Sequence, residues 1–173
     1  MRYNTINSCE CTNGLGWGVS LFTQGCPIRC KGCFNPETWD FDGGKLITNS
    51  VEHQIYQLLK PDYITRFSIL GGEPLIKDNL KQLNYMLCTI KSNYPNIKIW
   101  LWSGYTWDEI QKMRKEIYPD YYFVTFKYID YLVCGPFIEE EKDLTLVWRG
   151  SRNQEIIDVQ ESIKQKKKVL YEN

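Results

Sequence analysis

Short apolar runs alternate along this chain with longer segments whose apolar residues recur every three or four positions. The apolar runs predict β-strands, and the periodic segments predict amphipathic helices. The predicted strands are 19–23, 67–70, 97–102 and 131–134. The predicted helices are 50–59, 78–94 and 106–117.

Residues that cap helices stand at the start of each periodic segment. Ser50 and Asp78 can each accept a hydrogen bond from the first helical turn. Thr106 and Glu109 are spaced as a capping box. The apolar residues of this third helix are Ile110, Met113 and Ile117. These caps indicate where each helix is expected to begin.

The order of the elements favours an α/β fold. Strands that alternate with helices form a parallel sheet with right-handed crossovers. We expect this sheet to form an incomplete (β/α) barrel, since a full eight-fold barrel needs about 250 residues. The chain, 1–173, is expected to be a single domain with a frayed tail at 165–173. The loops that begin at Gly25 and Gly71 should leave the same sheet edge, where ligands bind.

Charge and composition exclude several classes of protein. Lys and Arg together number 21, as do Asp and Glu, so no net charge favours nucleic acid as a partner. No apolar run approaches the roughly 20 residues of a membrane-spanning helix, and the N-terminus lacks the apolar stretch of a signal peptide. We therefore expect a cytoplasmic protein with no membrane partner. Its seven cysteines are then metal ligands or free thiols rather than disulfides.

Three cysteines in one short loop carry the clearest chemistry. Cys26, Cys30 and Cys33 have the spacing C-x3-C-x2-C directly after the first predicted strand. Three thiolates are one ligand short of a closed four-cysteine site. A [4Fe–4S] cluster held by three cysteines leaves one iron without a protein ligand, just as catalytic zinc sites keep an open position. The spacing therefore predicts chemistry at a metal centre rather than electron storage.

Other metal sites are alternatives for this loop. In a zinc site the three cysteines would be joined by His53, the only histidine. However, His53 falls in a predicted helix away from the loop, and structural zinc sites usually use paired C-x2-C units. An iron–sulfur electron-transfer protein or a structural metal module is the alternative from another class.

The cysteine loop, together with Gly-Gly-Glu-Pro at 71–74, resembles the radical S-adenosylmethionine superfamily. Over nearly its whole length the chain resembles one subgroup, the activating proteins of anaerobic ribonucleotide reductase. The stretches that carry this closer resemblance are 25–39, 68–75, 100–105, 135–138 and 148–154. Gly32, where many superfamily members have an aromatic residue, also suits the subgroup. Cys134 is a departure, because an acidic residue is expected there.

The resemblance implies a fold, a reaction and partners. The fold is the incomplete barrel of the radical S-adenosylmethionine type. The reaction is reductive cleavage of S-adenosylmethionine at a [4Fe–4S] cluster, giving a 5′-deoxyadenosyl radical that abstracts hydrogen from a glycine of the large reductase subunit. The implied partners are this glycyl-radical subunit of anaerobic ribonucleoside-triphosphate reductase and a reduced electron donor such as flavodoxin.

The resemblance also assigns residues to the site. The implied metal ligands, which act in catalysis through the bound cluster, are Cys26, Cys30 and Cys33. The residues implied to present backbone groups to the amino group of S-adenosylmethionine are Gly71, Gly72 and Glu73. The residues implied to contact its adenine side are Gly32, Cys33 and Phe34.

One alternative remains within the superfamily, a small radical enzyme that acts on a small molecule, such as a deazapurine-forming synthase. Such an enzyme would have a closed pocket and would turn over without a protein partner. The sequence leaves open the roles of Cys9, Cys11 and the motif 148–154. Within that motif, Arg149 could bind an anionic group or form a surface salt bridge.

Overall fold

The computed structural model describes residues 1–117 and 125–172. Its strands are β1 (Arg2–Glu10), β2 (Trp17–Thr23), β3 (Lys45–Leu46), β4 (Ile64–Gly71), β5 (Lys98–Ser103), β6 (Tyr131–Cys134) and β7 (Glu155–Asp158). Within the described residues they form one seven-stranded sheet in the order β3-β1-β2-β4-β5-β6-β7. The expected α/β fold is confirmed, but the sheet is open, with β3 and β7 at its edges.

Only the centre of the sheet is parallel. Strands β2, β4, β5 and β6 run in parallel, whereas β1 and β7 pair antiparallel with their neighbours. The four strands predicted from the sequence are these parallel ones, and the prediction 131–134 matches β6 residue for residue. The flanking strands were not predicted, because β1 is largely polar and β3 has only 2 residues. Antiparallel strands tolerate a solvated face and so lack a continuous apolar run.

The helices are α1 (Asn49–Leu58), α2 (Lys77–Asn93), α3 (Trp107–Lys112) and α4 (Val159–Gln165). The predicted capping box of α3 is confirmed, with Thr106 and Glu109 each accepting a hydrogen bond from the other's backbone N–H. Beyond α3 the chain continues as a π-helical turn, Met113–Ile117. Of the three apolar residues predicted here, Ile110 is buried and Met113 packs against the core. The side chain of Ile117 lies outside the described part.

The caps predicted for α1 and α2 are wrong. The Thr48 hydroxyl accepts the Val51 N–H at 3.4 Å, so Ser50 lies inside α1 and does not cap it. Helix α2 begins after Ile76 without a side-chain cap, and Asp78 lies in its first turn. There its negative charge still interacts favourably with the helix dipole.

The two faces of the sheet carry separate hydrophobic clusters. One face packs against the helices through the buried strand residues Val19, Leu21, Phe67, Ile69, Ile99 and Leu101. The opposite face centres on the fully buried Trp100, whose ring lies 4.6 Å from Tyr131 and 4.8 Å from Trp148. Trp102 and Tyr171 complete this aromatic cluster. The second face is therefore covered by strand and loop residues.

A buried arginine anchors the loop 11–16 onto this second face. Arg66 of β4 is fully buried, and its Nη2 lies 2.7 Å from Glu10 Oε1. Two further N–H groups donate to the Gly16 carbonyl oxygen at 3.2 Å and to the Ser68 hydroxyl at 2.6 Å. Arg66 thus binds both ends of the loop. A fully buried guanidinium needs such partners, because a buried charge without them costs free energy.

The fold stabilises the ionised form of Glu10. Burial raises the pKa of this carboxyl, but hydrogen bonds from Ser20, Thr12 and Arg66 outweigh burial and lower the pKa to about 2. The backbone N–H groups of Thr12 and Asn13 donate to Glu10 Oε2 at 2.5 Å and 3.0 Å. Glu10 therefore carries its charge throughout the neutral range.

The chain returns to the sheet after α4. Lys166 ends the helix in the left-handed conformation, with φ of +54°. Leu170 then forms an isolated bridge with Ile157, and the Tyr171 N–H donates to the Ile156 carbonyl oxygen at 2.8 Å. Fraying of the segment 165–173 stays a prediction.

The Glu10–Arg66 pair should make folding stability fall in acid. The folded pKa of Glu10, about 2, lies below its ordinary value of 4.5, so its contribution is complete above pH 4.5 and is lost as the pH falls towards 2. At neutral pH we expect Glu10→Gln to lower the free energy of unfolding by about 3 kcal/mol, because it leaves a buried guanidinium without its carboxylate. Urea unfolding across this pH range should show the difference from the wild type shrinking in acid.

Glu140→Gln is the matched control. The Glu140 side chain is 73% exposed and lies 3.7 Å from Lys31 Nζ. This variant should stay within about 0.5 kcal/mol of the wild type. Equal unfolding free energies of Glu10→Gln and the wild type at neutral pH would show that the buried pair contributes nothing.

Candidate functional site

The loop after β2 folds back on a short 3-10 turn, Pro36–Thr38. The Gly25 N–H donates to the Thr38 carbonyl oxygen at 2.8 Å, and the Cys26 N–H donates to that of Trp39 at 3.2 Å. Gly25 has a φ of +91°, a conformation that other residues rarely adopt. These bonds close the cysteine loop and direct it over the end of the sheet.

The loop brings all three predicted metal ligands to one place. Cys26, Cys30 and Cys33 are partly buried and line one cavity of about 530 Å³. This volume falls within the range of about 300–1,000 Å³ that is typical of small-molecule sites. The cavity lies on the face of the sheet opposite the helices, and Phe22, Leu70 and Trp102 also line it.

Backbone N–H groups point at each of the three thiols. The donor and thiol pairs are Ile28 and Arg29 with Cys26, Phe137 with Cys30, and Asn35 with Cys33. Burial raises the pKa of Cys26 and of Cys30, and the hydrogen bonds from the backbone oppose this rise. Hydrogen bonds to cysteine sulfur are one of the means by which proteins tune iron–sulfur clusters.

The arrangement fits a cluster better than a single metal ion. Among the described residues, no three His, Cys, Asp or Glu side chains are placed to hold one ion. In a zinc site every thiolate sulfur lies about 2.3 Å from the same ion. In a [4Fe–4S] cluster each thiolate binds a different iron atom, so the sulfur atoms lie farther apart. His53, the fourth ligand of the zinc alternative, lies in α1 with its Nε2 3.1 Å from Gln57 Nε2. Cys26, Cys30 and Cys33 are the residues that could hold a cluster here.

The loop after β4 joins the cysteine loop through the backbone. The Gly72 N–H donates to the Thr23 carbonyl oxygen at 2.8 Å, and the Glu73 N–H donates to that of Gly25 at 2.9 Å. A Cβ at position 72 would lie 2.6 Å from the Gly25 oxygen, so no side chain fits there. Gly71, Gly72 and Glu73 line the same cavity as the cysteines. The two loops that the sequence placed at one sheet edge therefore meet.

The Glu73 side chain connects this loop to the next strand. Its carboxyl is fully buried and accepts hydrogen bonds from the Ser103 hydroxyl at 2.9 Å, the Gly104 N–H at 2.8 Å and the Leu75 N–H at 2.9 Å. Burial raises the pKa of Glu73 to about 7 despite these donors. The side chain thus holds the loops after β4 and β5 together, and its oxygens are already occupied.

The C-terminal motif 148–154 forms a further wall. The Gln154 side-chain oxygen accepts the Gly150 N–H at 2.8 Å, and its Nε2 donates to the Gly135 carbonyl oxygen at 3.0 Å. Trp102 Nε1 donates to the Trp148 carbonyl oxygen at 2.9 Å. The sequence singled out this motif and the stretch 135–138 separately, and the structure packs one against the other.

Of the three residues expected on the adenine side, Cys33 and Phe34 line the cavity and Gly32 does not. The Phe34 ring lies 5.0 Å from that of Phe137. A Cβ on Gly32 would lie 2.9 Å from Glu139 Oε1, and its φ is +72°, so glycine is needed for the turn itself.

Several cavity residues were not predicted as site residues. They are Asn7, Thr12, Asn13, Trp102, Trp148, Arg149 and Gln154. Asn7 and Asn13 belong to β1 and the loop after it, which show no apolar pattern. Trp148 and Arg149 carried a signal, because they lie in a recognisable motif, but only the fold places them beside the cysteines.

The other cysteines lie outside the cavity lining. Cys9, Cys11 and Cys88 are exposed. Cys134 is buried on the helix side of the sheet, where burial raises its pKa to about 12.

Within the described residues, no helix is both long and apolar enough to cross a membrane.

The chain is similar to known proteins over most of its length. The family model described as a 4Fe-4S single cluster domain matches residues 12–157. A protein of Haemophilus influenzae is 38% identical over 156 residues, which cover 89% of this chain and 96% of the relative. A protein of Vibrio cholerae is 37% identical over 158 residues, which cover 90% and 97%.

A more distant relative comes from a virus. A protein of Enterobacteria phage T4 is 31% identical over 156 residues, covering 90% of this chain and 93% of the relative. All three relatives are named anaerobic ribonucleoside-triphosphate reductase-activating protein. The resemblance to the activating proteins of anaerobic ribonucleotide reductase is thereby confirmed. The chain belongs to the family of anaerobic ribonucleoside-triphosphate reductase-activating proteins, within the 4Fe-4S single cluster domain family.

Proposed function

We propose that this chain activates an anaerobic ribonucleoside-triphosphate reductase by reductive cleavage of S-adenosylmethionine at a [4Fe–4S] cluster. The cleavage consumes one electron and gives methionine and a 5′-deoxyadenosyl radical. This radical takes a hydrogen atom from a glycine Cα of the large reductase subunit, leaving 5′-deoxyadenosine and a glycyl radical. The observation that carries the proposal is the single cavity shared by the three cysteines and the loop 71–73.

The three cysteines would hold the cluster at the mouth of this cavity. When bound, the cluster supplies one iron without a protein ligand and the electron for the cleavage. The backbone N–H groups directed at Cys26, Cys30 and Cys33 stabilise the thiolates. Partial burial of the thiols limits the access of water to them.

The loop 71–73 would bind the amino group of S-adenosylmethionine. The amide N–H groups of Gly72 and Glu73 are already donated to Thr23 and Gly25, so the loop offers carbonyl oxygens to a ligand. An amino group donates hydrogen bonds and therefore suits such acceptors. The glycines allow the ligand to approach the backbone closely.

The adenine side would lie against the third cysteine. Cys33 and Phe34 line the cavity there, and the Phe34 ring is 55% exposed. A flat exposed ring offers a stacking surface to a base. Gly32, which lies outside the lining, would contribute through the left-handed turn that places its two neighbours.

The open sheet supports a protein as the final substrate. We interpret this sheet as the incomplete barrel of the radical S-adenosylmethionine type, open at its β3 and β7 edges. Two exposed apolar residues line the cavity, namely Leu144, which is 80% exposed, and Phe34. An apolar rim of this kind can contact a loop of the large reductase subunit. A reduced donor such as flavodoxin would supply the electron.

The cluster should respond to S-adenosylmethionine. After anaerobic reconstitution and reduction, we expect the electron paramagnetic resonance signal of the cluster to shift when the ligand is added, with 5′-deoxyadenosine formed in the same tube. Cys30→Ser should lower product formation at least about 100-fold, because the cluster loses one of its three protein ligands.

Cys88→Ser is the matched control, because Cys88 is exposed and does not line the cavity. This variant should keep the wild-type signal and rate. A wild-type cluster that ignores S-adenosylmethionine and gives no product would favour an electron-transfer protein instead.

The reductase should acquire a radical on a glycine. We expect the wild-type protein, mixed with the large subunit, a reductant and S-adenosylmethionine, to give a doublet signal on the large subunit and consume about one S-adenosylmethionine per radical. Replacing the target glycine with its α-deuterated form should put deuterium into 5′-deoxyadenosine. Steady turnover on a small molecule, with no radical on the reductase, would support the deazapurine-type alternative.

A further inference from the structure

We propose that Arg149 binds the carboxylate of S-adenosylmethionine in the cavity beside the cysteines. This inference rests on the proposed function, and it adds the residue that recognises the negative end of the ligand. It decides between the two possibilities that the sequence left open for Arg149, an anion site or a surface salt bridge.

The charges around the cavity favour this assignment. Arg149 is the only cationic side chain among the residues that line it. The carboxyl groups that line the cavity are Glu73 and Asp143. Both are already engaged, Glu73 by Ser103 and Gly104 as described above, and Asp143 by Arg152 at 3.0 Å. A ligand carboxylate that enters the cavity therefore finds its one counter-charge at Arg149.

Arg149 itself lacks a carboxylate partner. Its Nη1 donates to the Gln154 carbonyl oxygen at 3.0 Å, whereas its Nε is buried without a hydrogen-bond partner. No ion pair involves Arg149 within 1–117 and 125–172, whereas Arg66 and Arg152 each have one. The charge of Arg149 is therefore not neutralised by a carboxylate of the described residues, and its guanidinium lines the cavity.

The surrounding fold places the backbone at Arg149 next to the cysteine loop. Trp148 adopts a left-handed conformation, with φ of +59°. Gly150 follows, and a Cβ there would lie 2.7 Å from the Phe34 ring and 3.1 Å from that of Phe137. Phe34 directly follows Cys33, and the Phe137 N–H points at the Cys30 thiol. Gly150, which directly follows Arg149, thus packs against the cysteine loop.

The chemistry of the two groups is complementary. A guanidinium has a rigid planar set of donors, and carboxylates are its commonest anionic partner in proteins. A carboxylate has two oxygens, so Arg149 would bind one of them and leave the other free. The amino group of the same ligand would meet the loop 71–73, so different residues would hold the two ends of the amino acid.

Binding measurements with two ligands test the proposal. We would reconstitute the protein with iron and sulfide and assay its iron content. Anaerobic equilibrium dialysis would then give the Kd for S-adenosylmethionine and the Kd for decarboxylated S-adenosylmethionine. Arg149→Gln should raise the Kd for S-adenosylmethionine at least about tenfold, since it removes one charged hydrogen bond. The same variant should change the Kd for the decarboxylated ligand less than about twofold, because that ligand has no carboxylate to lose.

Two further variants complete the experiment. Arg149→Lys keeps the charge without the planar fork, so its Kd should lie between those of the wild type and Arg149→Gln. Lys164→Gln is the matched control, because Lys164 is 78% exposed and does not line the cavity. This control should bind both ligands as the wild type does.

The outcomes separate the inference from the proposed function. Equal weakening of both ligands by Arg149→Gln would show that Arg149 only supports the fold, and unchanged binding of S-adenosylmethionine would also overturn the inference. If the wild type itself binds no S-adenosylmethionine, the proposed function fails and the inference fails with it. If Arg149→Gln does not take up iron, Arg149→Lys replaces it in the test. The quantity compared is then the ratio of the Kd for decarboxylated S-adenosylmethionine to the Kd for S-adenosylmethionine. A ratio equal to that of the wild type would overturn the proposal.

Discussion

The hydrogen bonds around Glu73 hold the candidate site together. Its N–H group donates to Gly25, which begins the cysteine loop, while its carboxyl accepts from Ser103 and Gly104 at the end of β5. Three loops that follow three adjacent parallel strands are thereby tied at one point. Because the carboxyl is fully buried, its pKa is raised to about 7, and no solvent replaces these donors. The shape of the cavity depends on this one side chain.

The floor of the cavity depends on the sheet face that lacks helices. On that face the buried pair of Arg66 and Glu10 holds the loop 11–16, and the Trp100 ring packs so closely that a Cβ on Gly14 would lie 2.9 Å from it. A charged pair and an aromatic cluster thus occupy the place that helices take on the other face. The remaining space, next to Trp102, is the cavity that the cysteines enclose.

The C-terminal motif 148–154 completes the wall of the cavity and contributes the positive charge of Arg149. Gln154 binds the loop after β6 through the Gly135 carbonyl oxygen, and Gly150 lies against Phe34. This places Arg149 in a cavity where the other ionisable groups are thiols and engaged carboxyls. Residues from the two ends of the chain therefore meet around one cavity.

The sequence by itself determined the parallel centre of the sheet, the capping box of α3 and the cysteine loop. These features depend on local patterns, namely continuous apolar runs, cap residues at fixed spacing and ligands within one loop. Only the tertiary structure decided the antiparallel strands β1 and β7 and the position of Arg149. Polar strands take their stability from pairing with a neighbour, and a lone charge takes its role from the groups that surround it. Neither leaves a periodic signal in the chain, because the partners lie far away in sequence.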